Sequence, residues 1–254
     1  MKRFCRGTGL TLRVAYLCLL GGACMAQGLI SVRIGEFKGA GKTTEVFRTL
    51  VRSVYFKGVV GFESLDDIGW INATAANADF GTALRAVCGA DPRYRIVSTN
   101  SADVVNILAA EHYGRGREIL EFRIPKLDIE LDEWPENLIT RLPDYSPSLW
   151  GFLREVYLRS GGVDIEPPGA GAGFYGNAKR PHFSVHLVNA SVRDALNAIA
   201  AQSFQIYRTI GIDPRLVATP DQLRVAPTGW ELRFLEPHDM PFYTWVYQIF
   251  RTLS

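Results

Sequence analysis

The chain contains one eleven-residue pattern twice, at positions 112 residues apart. Residues 77–87 read NADFGTALRAV, and residues 189–199 read NASVRDALNAI. Five positions are identical, and the apolar residues recur at helical spacing in both copies. Asp79 and Ser191 each stand where a helix N-cap belongs, because their side chains can accept a hydrogen bond from a backbone N–H. The pattern predicts a duplicated fold unit but indicates no reaction.

Residues 1–26 have the layout of a secretory signal peptide. Four basic residues flank the start of an apolar stretch at residues 14–23, and Cys24 and Ala26 supply small residues for a cleavage site. Ten apolar residues fall short of the roughly 20 that span a bilayer. We therefore expect a cleaved leader and a periplasmic or secreted protein without a transmembrane span. A lipid anchor at Cys24 ranks below cleavage, and a buried N-terminal helix of a cytosolic protein is the other alternative.

Removal of the leader changes the charge balance and the cysteine count. It takes away four of the 28 basic residues and none of the 26 acidic residues, which leaves a formal net charge of −2. This balance gives no basic footprint for nucleic acid. Cys88 is then the one cysteine left, so we expect neither a disulfide framework nor a multi-cysteine metal site. At the end of an amphipathic helix, Cys88 is more typical of a small buried hydrophobe than of a nucleophile.

The segment 38–44, KGAGKTT, superficially resembles a phosphate-binding loop. Such a loop needs a glycine at a fixed distance before Gly41 so that backbone N–H groups surround the phosphates. Gly35 lies one residue too far away, and Glu36 occupies the required position with a carboxylate. We therefore predict no nucleotide site, and instead a Gly-rich loop that leads into an amphipathic helix over residues 43–56.

The predicted fold class is α+β, with two small units of strand, helix and hairpin, each with its helix packed on its own small sheet. The first unit covers residues 27–115, with strands at 59–62, 94–97 and 104–108 and a helix that begins after Asp79. The second covers residues 181–254, with strands at 183–187, 204–207 and 230–235, a helix after Ser191, and an insertion of underivable shape at 208–229. The connecting segment 116–180 is expected to hold short helices, the stronger at 148–158, and a Gly/Pro-rich loop. A further helix is expected over residues 240–253.

Chemistry-bearing side chains are sparse in the sequence. Histidine occurs at positions 112, 182, 186 and 238. His182 and His186 share one face of a predicted strand about 13 Å apart, which is too far to share a metal ion. Asp128, Glu130 and Asp132 alternate with apolar residues and therefore also share one strand face. Paired carboxylates can act as acid and base, but a solvated outer face is the favoured interpretation, so we predict no catalytic, cofactor or metal residue.

Two segments, Asn72-Ala-Thr74 and Asn189-Ala-Ser191, match the acceptor pattern for N-glycosylation. Asparagine, serine and threonine also collect at the turn before a helix, where their side chains cap backbone groups. We favour this second interpretation, since the second segment lies directly on the helix cap at Ser191.

The second copy, FSVHLVNASVRDALNAIAAQS, resembles the short N-terminal domain of secretins and TonB-dependent proteins, and the first copy resembles a divergent version of it. The matching positions are Val185, Leu187, Asn189, Val192, Ala195, Leu196 and Ile199, with Asn77, Phe80, Ala83, Leu84 and Val87 in the first copy. The resemblance covers about 100 residues and implies a periplasmic α+β interaction module without catalysis. We therefore expect neither pore formation nor outer-membrane transport to carry over, and no functional site transfers, because the matching positions are core residues.

The sequence thus predicts a non-catalytic, exported interaction module that binds a protein or a cell-envelope component. The alternative is an envelope hydrolase or small-ligand-binding enzyme with its site in a cleft between the two units, using Asp128, Glu130 or His186. Converging carboxylates and histidine in a concave pocket favour the enzyme, whereas an exposed sheet edge or apolar patch favours the binding module.

Overall fold

The structure is a computed structural model, and it describes residues 28–54, 57–65, 69–110, 117–133, 144–149, 151–152, 179–210 and 229–233. A 3-10 turn at Leu29–Ser31 precedes the first strand. The elements that follow are β1 (Arg33–Lys42), α1 (Thr43–Ser53), β2 (Val59–Ser64), β3 (Trp70–Asp79), α2 (Phe80–Ala90), β4 (Tyr94–Ser98), β5 (Val104–Ala109), α3 (Arg117–Leu120), β6 (Arg123–Asp132), β7 (His182–Ser191), α4 (Val192–Ile210) and β8 (Gly229–Arg233). The α+β class predicted from the sequence is confirmed.

The strands form one four-stranded sheet and two two-stranded antiparallel ribbons. The sheet has the order β4-β5-β2-β8, with β2 parallel to both β5 and β8, and β4 antiparallel to β5. The first ribbon pairs β1 with β3, and the second pairs β6 with β7. The predicted hairpin of β4 and β5 is thereby confirmed.

The two hydrophobic clusters lie on opposite faces of the four-stranded sheet. Successive residues of β2 and β5 enter different clusters, as expected for the alternation of side chains along a strand. One cluster contains α1, α2 and the inner face of the first ribbon, and the other contains α4, β8 and the inner face of the second ribbon. The repeated helices therefore cover the two faces of one shared sheet, and the arrangement as two units with separate sheets is not confirmed.

Both repeated helices begin with the predicted caps. The Asp79 side chain accepts a hydrogen bond from the Thr82 N–H at 2.6 Å, and this bond lowers the pKa of the Asp79 carboxyl. Ser191 Oγ accepts a bond from the Asp194 N–H at 3.0 Å, and Asp194 Oδ2 accepts one from the Ser191 N–H at 3.2 Å, which is a reciprocal capping box. Each cap satisfies backbone donors that the first helical turn leaves without partners.

The two copies share further backbone detail. Asn77 and Asn189 have positive φ angles of 48° and 49°, a left-handed conformation that asparagine tolerates better than most residues. Phe80 N–H donates to Val32 O, and Val192 N–H donates to Phe122 O, both at 2.9 Å. Each hydrogen bond ties the first residue of a helix to the residue before the partner strand of its ribbon. The ribbon followed by a helix is thus built in the same way on each side of the sheet.

Two sequence predictions of local structure are wrong, and a third strand is present but has a different partner. Residues 38–42 form the second half of strand β1, because pairing with β3 overrides the poor strand propensity of glycine. Residues 204–207, predicted as a strand, continue helix α4, since Phe204 and Ile206 extend its buried stripe and Ser203 Oγ bonds the Ile199 carbonyl. The return strand, observed at Gly229–Arg233, joins β2 rather than a sheet of a separate second unit.

Several other predictions differ in extent or fall outside the described residues. Helix α1 ends at Ser53, three residues before the predicted end. Nothing is described for residues 1–27, for His112 and His238, or for the helix predicted over 240–253, and the helix predicted over 148–158 is described only in part. The boundaries of the two predicted units stay predictions. Within the described residues, no helix combines the length and the hydropathy needed to cross a membrane.

Candidate interaction face on the second ribbon

The outer face of the second ribbon brings together the histidines and carboxylates singled out in the sequence. On β6, Asp128, Glu130 and Asp132 alternate with buried residues, and on β7, His182, Ser184 and His186 do the same. The β6–β7 register sets Asp128 opposite His186, Glu130 opposite Ser184 and Asp132 opposite His182. We call this surface, together with Lys126 and Val188 on the same side, the acidic face.

Each histidine on the acidic face bridges two carboxylates. His186 places Nδ1 2.5 Å from Asp128 Oδ1 and Nε2 2.9 Å from Glu130 Oε2. His182 places Nδ1 2.9 Å from Asp132 Oδ1 and Nε2 3.2 Å from Glu130 Oε1. Glu130 is therefore shared, and the two rings that the sequence set about 13 Å apart along one strand converge on one carboxylate. The five side chains form a continuous ladder across the ribbon.

The ladder favours the protonated form of both histidines. The hydrogen bond to Asp128 is the largest cause that raises the pKa of His186, and the bond to Asp132 is the largest that raises the pKa of His182. Lys126 and then His186 lower the pKa of Asp128, and Lys126 also forms an ion pair with this carboxylate. All these groups are well exposed, so solvent screens the interactions. The charge of the face therefore depends on the protonation of its two histidines.

One part of the ladder has the connectivity of a catalytic triad. Ser184 Oγ lies 3.0 Å from His186 Nε2, and His186 Nδ1 contacts Asp128. A general base must have a free Nε2 lone pair to accept the serine proton. Here the Glu130 carboxylate contacts the same Nε2 and favours a proton on it. The face is also an open strand surface, whereas enzyme sites are concave.

The described residues offer no arrangement suited to a metal ion, since no group of three or more His, Cys, Asp or Glu side chains is placed to hold one. A recess lined by Glu63, Arg95 and Arg117, among others, has a volume of about 20 Å³, which is room for about one water molecule. Glu63 accepts a hydrogen bond from the Ala109 N–H at 3.0 Å within the protein. The recess is therefore too small to hold a substrate in this structure.

The remaining sequence candidates have structural roles. Thr43 N–H donates to Gly69 O at 3.1 Å and Thr43 Oγ1 to Asp91 Oδ2 at 2.7 Å, so a buried carboxylate stands beside the start of α1. Burial raises the pKa of Asp91, but hydrogen bonds from Arg93 and Thr43 outweigh it and lower the pKa. The backbone N–H and the hydroxyl of Thr43 are thus both bonded within the protein. Burial raises the pKa of the Cys88 thiol to about 11, which keeps it protonated.

The two asparagines of the acceptor patterns differ in position. Asn189 has its left-handed conformation two residues before the Ser191 cap, which agrees with the capping interpretation. Asn72 lies within strand β3 on an exposed face, well before the α2 cap, so that interpretation does not apply to it.

The outer face of the first ribbon carries a set of residues that sequence reasoning missed. Lys38, Lys42, Trp70, Asn72 and Thr74 are all exposed there, with Ala40 between the two lysines. Trp70 is 74% exposed, the largest aromatic surface among the exposed hydrophobic residues described. The alternation of Trp70, Asn72 and Thr74 with the apolar residues Ile71 and Ala73 is a strand signal in the sequence. We call this surface the lysine face.

Comparison of the chain with protein-family models, with curated proteins and with solved structures gives no match.

Proposed function

We propose that the protein is a non-catalytic, exported interaction module that binds a protein or a cell-envelope component through the outer face of a ribbon. The observation that carries this proposal is the placement of the histidines and carboxylates on an open, exposed strand surface. Recognition on such a surface uses charge pairs and flat contacts, whereas catalysis needs an enclosed, preorganised site.

The acidic face combines apolar and charged groups, as protein–protein contacts do. Val188 is 81% exposed and lies next to Lys126 in the strand register, so an apolar side chain borders the charged ladder. The ladder offers carboxylate oxygens to a basic partner, and the face is about 33 Å long for two ten-residue strands. This combination of apolar and charged groups supports a contact of modest area and charge-dependent strength.

Site-specific cross-linking tests the proposal directly. A photoreactive residue replaces Val188 on the acidic face, and in a matched control it replaces Lys57, which is exposed and belongs to neither ribbon. We expect irradiation of cells to give discrete cross-linked species from position 188 and none from position 57. Equal cross-linking from both positions, or none from position 188, contradicts binding through this face.

The enzyme alternative has one specific observation in its favour, the contact chain from Ser184 through His186 to Asp128. A serine hydrolase reacts covalently with a fluorophosphonate probe through its activated hydroxyl. We expect no labelling of the purified protein above the level of the Ser184→Ala variant. Labelling that disappears in this variant, together with ester hydrolysis that it also loses, replaces the binding proposal with a hydrolase.

A further inference from the structure

Each histidine ring on the acidic face contacts carboxylates through both of its nitrogens. His186 directs Nδ1 at Asp128 and Nε2 at Glu130. His182 directs Nδ1 at Asp132 and Nε2 at the same Glu130. A carboxylate can only accept hydrogen bonds, and only the protonated imidazole carries two N–H donors. The observed ladder is therefore the arrangement of the protonated state.

A ring that loses its proton can keep only one of its two carboxylate contacts. Asp128 and Asp132 lie directly opposite their histidines in the strand register, with N–O distances of 2.5 and 2.9 Å. Glu130 lies opposite Ser184 and reaches the two rings diagonally, at 2.9 and 3.2 Å. Because the aspartates hold the closer positions, the remaining proton stays on Nδ1 of each ring. The lone pair that is left on Nε2 then repels Glu130.

Ser184 provides His186 with a replacement partner in the neutral state. Its hydroxyl oxygen lies 3.0 Å from His186 Nε2. A hydroxyl can donate as well as accept, so it donates to the Nε2 lone pair once the proton has left. The same nitrogen therefore has an acceptor beside it when it is protonated, Glu130, and a donor when it is not, Ser184.

We propose that the ladder is a pH switch, in which protonated histidines hold Glu130 and neutral histidines release it to a partner of the acidic face. This inference rests on the proposed function, because that face is the one through which the protein binds. With both rings protonated, the three carboxylates are balanced by Lys126 and the two histidines. Loss of both protons leaves two negative charges in excess. Binding of a basic partner group therefore strengthens as pH rises through the raised histidine pKa values.

The charged groups around the two rings come from both strands of the ribbon. Strand β6 supplies Lys126, Asp128, Glu130 and Asp132, strand β7 supplies Ser184 and the two histidines, and the Glu133–Arg180 ion pair closes the end next to His182. Because Glu130 is shared, a proton on one ring weakens the attraction of this carboxylate for the proton of the other. The two histidines therefore titrate as a coupled pair.

NMR titration of the imidazole nitrogens tests the switch. At about pH 9, we expect both rings in the Nδ1–H tautomer, because that nitrogen keeps its hydrogen bond to an aspartate. Glu130→Gln removes the shared carboxylate and is expected to lower the pKa of both histidines. His182→Asn is expected to raise the pKa of His186, and to raise it less when Glu130→Gln is also present. The control Glu36→Gln makes the same charge change on the first ribbon and is expected to leave both pKa values unchanged.

Photo-cross-linking from position 188 tests the regulation of binding. The cells are held at about pH 6 and at about pH 8.5, on either side of the raised histidine pKa values. We expect a higher yield of cross-linked partner at the higher pH, and a yield that changes less with pH in the Glu130→Gln variant. An equal yield at both pH values, or the same change with pH in this variant, overturns the inference.

The two experiments separate the inference from the proposed function. An Nε2–H tautomer for either ring at about pH 9, or a histidine whose pKa Glu130→Gln does not lower, refutes the switch. If position 188 still cross-links a partner in that case, the proposed function stands. If position 188 cross-links nothing at either pH while the tautomers and pKa values are as expected, the proposed function is refuted and the proton-dependent hold on Glu130 stands.

Discussion

Asn106 offers the sharpest test of the packing in this structure. Its side chain lies in the middle of β5 on the side of α4, it is 0% exposed, and neither Oδ1 nor Nδ2 has a hydrogen-bond partner in the part of the chain that the structure describes. A buried polar group without a partner costs about 1–3 kcal/mol of folding free energy. Two such atoms in one side chain make Asn106 a destabilising residue in its own sheet.

We expect Asn106→Leu to stabilise the protein. Leucine has the same branching at Cγ and removes both polar atoms, while its larger methyl groups press on Trp230 and Gly61, which lie next to Asn106. Overpacking of this kind costs about 1–3 kcal/mol, so the expected net gain is about 2 kcal/mol. For a chain of this size that gain corresponds to a rise in Tm of about 4–8 °C.

Asn197→Leu is the matched control. Asn197 Oδ1 accepts a buried hydrogen bond from Trp230 Nε1 at 2.8 Å, so the same substitution here leaves the indole N–H without a partner. We expect it to destabilise the protein by about 1–3 kcal/mol. Thermal and urea unfolding followed by circular dichroism measure both variants. A fall in Tm for Asn106→Leu as large as that for Asn197→Leu means that the Asn106 amide is satisfied, and it refutes the reasoning.

Four further variants test the packing and the histidine ladder. We expect Leu84→Ala and Leu196→Ala each to lower the free energy of unfolding by about 2–5 kcal/mol, because both leucines are fully buried in the repeated helices. Near-neutral values in urea titrations contradict the packing on the two sheet faces. Gly61→Ala places a Cβ 2.3 Å from Asn106 Oδ1 and 2.4 Å from the Trp230 ring, so we expect a loss of about 1–3 kcal/mol, and a Tm unchanged from the wild type refutes this close contact. The double variant His182→Asn/His186→Asn removes the stability that the two protonated histidines contribute. This contribution is present below a pH of about 6.5 and is lost as pH rises through the raised histidine pKa values, so the deficit in Tm of the variant should be larger at about pH 6 than at about pH 9. A deficit of equal size at both pH values shows that the ladder does not bind protons on folding.

The elements that could be predicted from the sequence are those whose signals are local. The caps at Asp79 and Ser191 and the apolar stripes of α2 and α4 each lie within a dozen residues, and the structure has them as expected. The alternation in β6 likewise indicated an outer face for Asp128 and its neighbours, and these side chains are on the outside.

The features that escaped prediction depend on pairing between distant segments. Strand β1 is rich in glycine and becomes a strand because β3 lies beside it. The histidine ladder needs the register that sets Asp132 opposite His182, and no pattern within either strand specifies that register. The shared sheet was not predicted either, because it also depends on pairing between distant segments. Each half of the chain contains enough apolar residues to suggest a core of its own.

The pairing of β8 with β2 also has a consequence for how the protein folds as it is synthesised. Val60 pairs with Gly229, so the sheet gains its last strand only after most of the chain has left the ribosome. Until then, the sheet has an uncovered apolar surface that includes Val59, Val104 and Leu108. In the finished protein, α4 and β8 cover these residues. Contacts between segments so far apart form slowly. The nascent first half is therefore expected to need chaperone protection until its downstream partner segments arrive.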